Sequence, residues 1–513
     1  MKLKIRTNFW NTPLTSSLIK SRDVSMPEMF LGYFLGPVGG MLSNGIFTSI
    51  LNTYFTDVLK LDLTFLTTLQ LLSTVLIVIA NLAVGQMIER TRVLAGKARP
   101  WILMSALTLS VASILMFIVP FEGTFKMVWI AIAYNLYYSV AAPIYNTANS
   151  TLVAVSTRNS NQRGQLASFN NIAGLAAMGA GSMVFPILVS FALKENQALW
   201  FTAMLAVGIF TALTVFLQYK FSRERVTEEL MENKTTQTAK TKNTDSISLG
   251  RQFKAVASEK WWCVIIFFYL IFQFSGAIKN GSMSYFCRWV LDNSAFGADG
   301  WGTYQSVLSI MGAIPMAAAM FFVNPLCRKF GKRRTVSVFL IFGAAGGIIA
   351  GIGGNNIIPV AAGVALKCLG SSPACYMILA MLADVIDHIE WKTGLRTDGL
   401  TMSIYSSLAV AATPVMNAVF SAILNIVGYD QNLIVGADMQ SSIVQAGISA
   451  GYIWFETIAY VICAVLMFVF FRVEDNLKEE QKEIEMRNKK MQTMPDFRLL
   501  DTRISSPCGT DNP

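Results

Sequence analysis

The sequence predicts an all-α membrane protein with twelve transmembrane helices in two six-helix halves. Of its 513 residues, 53% are hydrophobic and 14% are charged. The hydrophobic fraction is about 270 residues, enough for about twelve helices of ~20 residues each and too large for one soluble core. The net charge of +10 could suggest a nucleic-acid binder, but the basic residues lie between apolar blocks and in the tails. We therefore predict a lipid bilayer as partner, and no nucleic acid.

Apolar runs of about 18 or more residues define the predicted helices. These cover residues 28–56, 63–88, 101–121, 125–155, 165–193 and 197–220, then 261–290, 301–327, 335–353, 357–385, 399–427 and 449–472. The chain accordingly divides into an N-terminal segment (1–27), a first bundle (28–220), a linker (221–260), a second bundle (261–472) and a tail (473–513). The N-terminal segment lacks the apolar core of a signal peptide, so we expect the first helix to be retained.

The short loops carry a strong charge asymmetry. Those after the second, fourth, eighth and tenth predicted helices hold Arg90, Arg92, Lys97, Arg99, Arg158, Arg163, Arg328, Lys329, Lys332, Arg333, Arg334, Lys392 and Arg396. The opposite loops offer little beyond Lys60, Lys126 and Lys194. By the positive-inside rule, both termini and the linker are cytoplasmic, in a cell membrane such as the bacterial inner or plasma membrane.

Cofactor and metal motifs are absent from the sequence. The seven cysteines are irregularly spaced, which indicates neither a disulfide framework nor a C-x-x-C metal site. No G-x-x-x-x-G-K-[ST] pattern occurs, so nucleotide-driven transport gains no support. We expect no cofactor and no bond chemistry, although H⁺ or Na⁺ could be co-transported.

The two halves resemble each other internally. Residues 85–99 (GQMIERTRVLAGKAR) follow the second predicted helix and residues 324–334 (NPLCRKFGKRR) follow the eighth, each forming a short basic turn with glycine. Two parallel six-helix halves with a substrate site between them near the bilayer midplane are the plan of the major facilitator superfamily.

Three stretches carry a more specific resemblance: residues 55–62 (FTDVLKLD), 96–103 (GKARPWIL) and 383–403 (ADVIDHIEWKTGLRTDGLTMS). Together they resemble the glycoside-pentoside-hexuronide:cation symporters, the family of the melibiose permease. The resemblance implies a sugar or glycoside substrate, often moved with H⁺, Na⁺ or Li⁺. Helix-end charge pairing without a transport role is the alternative explanation for these loops.

The charged site residues of that family are replaced here. Ungapped matching places the cation-binding carboxylate pair of the second helix on Ile77 and Asn81. The sugar-binding aspartates of the first and fourth helices fall on Met41 and Asn146, the fifth-helix arginine on Asn171 and the eleventh-helix lysine on Val410. Because Na⁺ prefers hard anionic oxygens, coupling through the second helix should be weak, with the Asn81 carbonyl as the remaining candidate ligand.

Neutral residues could still recognise sugar hydroxyls. Asn146 and Asn149 lie three residues apart on one helix face, and Asn170 or Asn171 follows on the next helix. Tyr145 could stack on the apolar face of a sugar. Amides in membrane helices also hydrogen-bond neighbouring helices, so binding and packing both stay open.

Three charged residues lie inside predicted helices, where charge is costly and commonly functional. Lys279 is near the middle of the seventh helix, Lys367 is about ten residues into the tenth, and Glu456 is early in the twelfth. A lysine paired with Glu456 could join helices structurally. Alternatively, the excess positive charge could favour an anionic substrate, or a buried lysine could couple transport to protons. Glu456 and Asn81 are thus the coupling candidates.

The overall hypothesis is a secondary transporter that moves a sugar, glycoside or uronide by alternating access. We expect its halves to meet on the cytoplasmic side through charged helix ends, with Arg90, Arg99, Asp384, Asp387 and Arg396 as gating residues. The alternatives are a uniporter or exchanger for a non-sugar organic anion, and a sensor that has lost transport and signals through residues 221–260 or the tail.

Overall fold

A computed structural model describes residues 15–91, 93, 95–157, 159–226, 258–292, 297, 300–393, 398–435, 438–473, 483 and 486. Most of the predicted linker and tail therefore lie outside the described residues. The helices, numbered here in chain order, are α1 Glu28–Val58, α2 Leu63–Arg90, α3 Arg99–Leu115, α4 Gly123–Val155, α5 Ser160–Leu188 with a wider last turn Val189–Leu193, α6 Gln197–Phe221, α7 Lys260–Trp289, α8 Trp301–Phe330, α9 Lys332–Ile352, α10 Ile357–Thr393, α11 Asp398–Val427 and α12 Ser442–Phe470.

Eleven of these helices contain a span long and apolar enough to cross a membrane, and α3 is a shorter apolar helix of 17 residues. The predicted all-α class with twelve helices is thereby supported. The prediction that the third helix reaches residue 121 is wrong, since α3 ends at Leu115. Pro120 lies in the missing portion, and proline disfavours helical backbone at the preceding residue.

Helix α10 is longer than its apolar run. It has 37 residues and continues to Thr393, whereas the apolar run predicts an end at residue 385. At 1.5 Å per residue such a helix measures roughly 55 Å, well beyond the ~30 Å hydrocarbon layer. Its polar last two turns can therefore extend into water without losing helical hydrogen bonds.

Glycines bring α9 and α10 into backbone contact. A Cβ at Gly370 would collide with the backbone of Gly343, and a Cβ at Gly346 would lie 2.7 Å from the Gly363 carbonyl oxygen. Small residues permit this close approach, which is the usual way for helices to associate in lipid.

Wide π-helical turns interrupt several helices. In α4 such a turn covers Leu136–Ala141 and ends two residues before Pro143. In α12 one covers Ala450–Trp454 and ends two residues before Glu456. Turns of this kind are common at functional sites because they change the pairing of backbone carbonyls.

The two halves, α1–α6 and α7–α12, meet mainly along three helix pairs within the described residues: α1 with α7, α2 with α11, and α5 with α8. These contacts centre on the helix ends opposite to the start of α1 and the end of α12, which we call the distal side. There the Asn425 amide donates to Thr64 Oγ1 at 3.2 Å, and the Ser309 hydroxyl donates to the Ser182 carbonyl at 3.2 Å. The distal side is therefore closed.

Candidate functional site

The three intramembrane charges form one cluster between α7, α10 and α12. Lys367 Nζ lies 2.6 Å from Glu456 Oε2, and Lys279 Nζ lies 3.3 Å from Glu456 Oε1. The Tyr460 hydroxyl also donates to Glu456 Oε1 at 2.7 Å. Both lysines thus share a single carboxylate, and we call Lys279, Lys367 and Glu456 the charge cluster.

The wide turn Ala450–Trp454 of α12 helps to hold Lys367. Its ammonium group donates to the carbonyl oxygens of Tyr452 and Ile453 at 3.4 and 3.3 Å, and both residues belong to that turn. Lys367 therefore has a carboxylate and two carbonyls around it, which compensates for the cost of burying an ammonium group.

The two lysines differ in exposure. The side chains of Lys367 and Glu456 are each 2% exposed, whereas that of Lys279 is 20% exposed. Two positive groups and one negative group leave one net positive charge. The more exposed positive group is the Lys279 ammonium, which also lies farther from the Glu456 carboxylate than the Lys367 ammonium does.

In the first half, the predicted sugar-binding residues divide into two groups. Tyr145 donates to Gln218 Oε1 at 3.2 Å, Gln218 donates to Asn149 Oδ1 at 2.8 Å, and Asn149 donates to Asn170 Oδ1 at 2.9 Å. This network is largely buried and links α4, α5 and α6.

Asn146 and Asn171, by contrast, are exposed. Neither side chain takes part in the Tyr145–Gln218–Asn149 network. Gln218 was not predicted as part of the site. A lone glutamine in the apolar run of α6 was the available signal, because an amide within a membrane helix requires a partner.

The coupling candidate Asn81 is half-buried on α2. Its amide N–H donates to the carbonyl oxygen of Ile77 on the same helix at 2.9 Å. The Asn81 carboxamide oxygen takes no part in that bond.

Two predicted gating residues have strong contacts inside their own halves. Arg99 is buried, donates to the Tyr219 and Thr15 carbonyls at 3.0 and 3.3 Å, and lies over the Tyr219 ring. Asp384 pairs with Lys332 at 2.5 Å. These contacts brace each half at the side where its chain ends lie.

The remaining gating candidates lie at the ends of α2 and α10 or follow α10. Arg90 is exposed at the end of α2, and Asp387 is half-buried on α10. Arg396 lies outside the described residues.

A charged contact joins the halves on the distal side. Arg288 of α7 pairs with Asp57 Oδ2 of α1, while Tyr429 and Thr56 donate to Asp57 Oδ1 at 3.0 and 2.8 Å. The Arg288 guanidinium also lies 4.9 Å from the Trp301 ring centroid. We call Asp57, Arg288 and Tyr429 the distal lock. Asp57 directly follows the first predicted helix, residues 28–56, but its partners were not predicted.

Solved structures with the same fold include transporters. The nucleoside transporter NupG aligns with a TM-score of 0.59 and 12% identity over 87% of this chain and 100% of that chain. A bacterial homologue of the human lysosomal transporter Spinster, in an inward-facing and unoccupied conformation, aligns with a TM-score of 0.60 and 11% identity over 89% and 99%. At these identities the likeness shows the fold alone.

Curated relatives span nearly the same length. The isoprimeverose transporter of Lactiplantibacillus pentosus is 25% identical over 90% of this chain and 91% of its own. The glucuronide carrier protein homolog of Escherichia coli (strain K12) is 22% identical over 90% and 96%. The putative 2,3-dihydroxypropane-1-sulfonate exporter of Salmonella typhimurium (strain LT2) is 22% identical over 87% and 93%.

Residues 32–475 match the family described as MFS/sugar transport protein. This match covers most of the chain, and together with the relatives it confirms the predicted resemblance to the glycoside-pentoside-hexuronide symporters. The chain therefore belongs to the MFS/sugar transport protein family, as a multi-pass secondary transporter for a sugar or glycoside.

Proposed function

We propose that the transported sugar or glycoside is an anion, such as a uronide or a sulfonated sugar, and that Lys279 contacts its negative group. The observation that carries this proposal is the charge cluster, which has one net positive charge and exposes it through Lys279.

The two lysines have different tasks in this proposal. Lys367 is buried against Glu456 and two carbonyls and keeps the carboxylate in place. Lys279 is more exposed and stands 3.3 Å from Glu456, so it can turn toward a substrate carboxylate or sulfonate. A charge-assisted hydrogen bond of this kind contributes about 1.5–3 kcal/mol, which corresponds to roughly 10- to 150-fold in affinity.

The first half supplies neutral recognition. Exposed Asn146 and Asn171 offer amide donors and acceptors to sugar hydroxyls, and the network of Tyr145, Gln218 and Asn149 holds α4 in position. Several relatives are named for anionic compounds: a glucuronide carrier homolog, a putative sulfoquinovose importer and a putative 2,3-dihydroxypropane-1-sulfonate exporter. Their names support an anionic substrate.

The proposal also includes the orientation of the protein in the membrane and the coupling of transport to ions. The basic loops favour cytoplasmic termini, so in this proposal the distal side, which is closed in this conformer, faces outward. Transport proceeds without bond chemistry or a bound cofactor. Na⁺ coupling through α2 is weak because Asn81 is neutral, and Glu456 is the acidic group through which H⁺ could be coupled.

The test is substrate counterflow in proteoliposomes, comparing methyl β-D-glucuronide with methyl β-D-glucoside. The wild type should prefer the glucuronide, and Lys279→Gln should remove most of that preference. Lys126→Gln is the matched control, since Lys126 lies near the start of α4 and donates to the Leu59 carbonyl. An unchanged preference in Lys279→Gln would contradict the proposal, and absence of any counterflow in the wild type would favour the sensor alternative.

A further inference from the structure

A ladder of polar side chains follows α1 along the contact between the halves. Its contacts across the halves are Gln305 to Ser49 at 3.1 Å, Thr53 with Ser284, and Thr56 with Tyr285 at 2.7 Å. Within the first half, Gln70 of α2 donates to Asn52 of α1 at 3.0 Å. The ladder leads from the distal lock toward the middle of the membrane. Hydroxyls and amides thus line part of a surface that must open during transport.

Besides Gln305 Oε1 on α8, three amides in this region have buried atoms without a hydrogen-bond partner among the described residues. These atoms are Asn52 Nδ2 on α1, Gln70 Oε1 on α2 and Asn417 Oδ1 on α11. The three residues are 7%, 1% and 9% exposed, respectively. We call them the seam amides. Because an unpaired polar atom is unfavourable in an apolar interior, its persistence requires an explanation.

The backbone of Gly281 on α7 brings two of these atoms to one place. A Cβ at Gly281 would collide with Asn417 Oδ1 and would lie 3.7 Å from Asn52 Nδ2. One unpartnered acceptor and one unpartnered donor therefore face the same glycine. They come from opposite halves, so opening the distal side separates them and exposes both.

We propose that the seam amides form a subsite that binds substrate hydroxyl groups on the distal access route. A hydroxyl donates and accepts simultaneously, so one sugar hydroxyl can satisfy an amide N–H and an amide carbonyl together. The subsite has no formal charge, so it does not select between anionic and neutral sugars. This inference rests on the proposed function only in taking a sugar as the substrate.

The subsite is closed in this conformer. When the halves separate on the distal side, sugar or water can reach the seam amides. When the halves close, the sugar hydroxyls must leave and the seam amides lose these hydrogen-bond partners. Binding at this place therefore favours the distal-open conformer, since a ligand shifts an equilibrium toward the state to which it binds more tightly.

The first test measures protection of Asn417→Cys from a membrane-impermeant maleimide added on the distal side, with labelling located by peptide mass spectrometry. We expect labelling during turnover to be slowed about tenfold by methyl β-D-glucuronide or methyl β-D-glucoside, and to be unaffected by NaCl or urea at equal concentration. Absence of protection by both sugars would overturn the proposal. Protection by NaCl equal to that by sugar would also overturn it, because it would indicate an ion site.

The second test separates this subsite from the anion site. Asn52→Leu should raise the KM for both glycosides by about tenfold, as expected for one lost hydrogen bond, and should leave the glucuronide preference intact. Asn135→Leu is the matched control, because the Asn135 amide donates to Ala131 on its own helix. Unchanged KM values in Asn52→Leu would refute the subsite, whereas a failed Lys279→Gln result would refute only the anion proposal.

Discussion

Removing the charge of Asp57 should open the distal side. In the distal lock, the Asp57 carboxylate accepts hydrogen bonds from Tyr429 and Thr56 and pairs with Arg288 across the two halves. The side chains of Arg288 and Asp57 are only 10% and 8% exposed, so solvent screens this pair less than a surface pair. Asp57→Asn retains the size and the contact with Tyr429 but replaces the anion by a neutral amide.

The expected size of the effect follows from the lost charge-assisted hydrogen bond. Such a bond contributes about 1.5–3 kcal/mol, so the ratio of distal-open to distal-closed molecules should rise by roughly 10- to 150-fold. Glu122 and Asn432 are exposed on distal loops of opposite halves, and spin labels at cysteines placed there report the distance between the halves. The background should carry Cys263→Ser, since Cys263 is exposed.

Electron–electron double resonance should then show a longer-distance population in Asp57→Asn. Asp62→Asn is the matched control, because Asp62 lies at the same end and accepts from the Phe65 backbone N–H within the first half. If the distance distribution in Asp57→Asn is unchanged, or if Asp62→Asn shifts it equally, the distal lock does not hold the halves together.

Three further outcomes are expected. Glu456→Gln should lower thermal stability by about 3–5 kcal/mol, since it leaves the buried Lys367 and the partly exposed Lys279 without a carboxylate. Adding Lys367→Met should restore part of the stability, and full stability in the single variant would contradict the described pairing. Uptake should be equal in Na⁺ and K⁺ media and insensitive to Asn81→Ala, so strong Na⁺ stimulation lost in that variant would show that an amide suffices for coupling. Gly370→Ala should destabilise the protein by about 1–3 kcal/mol through overpacking against α9. Gly276→Ala is the control and should not destabilise it, because the space around Gly276 is open. Equal melting temperatures of the two variants would argue against the close contact between α9 and α10.

Hydropathy along the chain was enough to predict the fold class and the approximate position of each membrane helix, because an apolar run of sufficient length identifies a span without knowledge of its neighbours. The differences occur at helix ends. Helix α3 ends before Pro120, and α10 continues into polar residues up to Thr393. Hydropathy reports where a chain prefers lipid, whereas a helix ends where its backbone hydrogen bonding ends, and the two need not coincide.

The sequence also identified Lys279, Lys367 and Glu456 as exceptional, since charge inside an apolar run is visible in one dimension. The folded structure was needed to show that both lysines share one carboxylate, that Lys279 is the more exposed of the two, and that Asp57 pairs with Arg288 from the other half. It also brought Asn417 next to Asn52, 365 positions earlier in the chain. Such pairings depend on how each helix is rotated and tilted against its neighbours, and packing sets both properties, whereas the hydropathy of an individual helix does not.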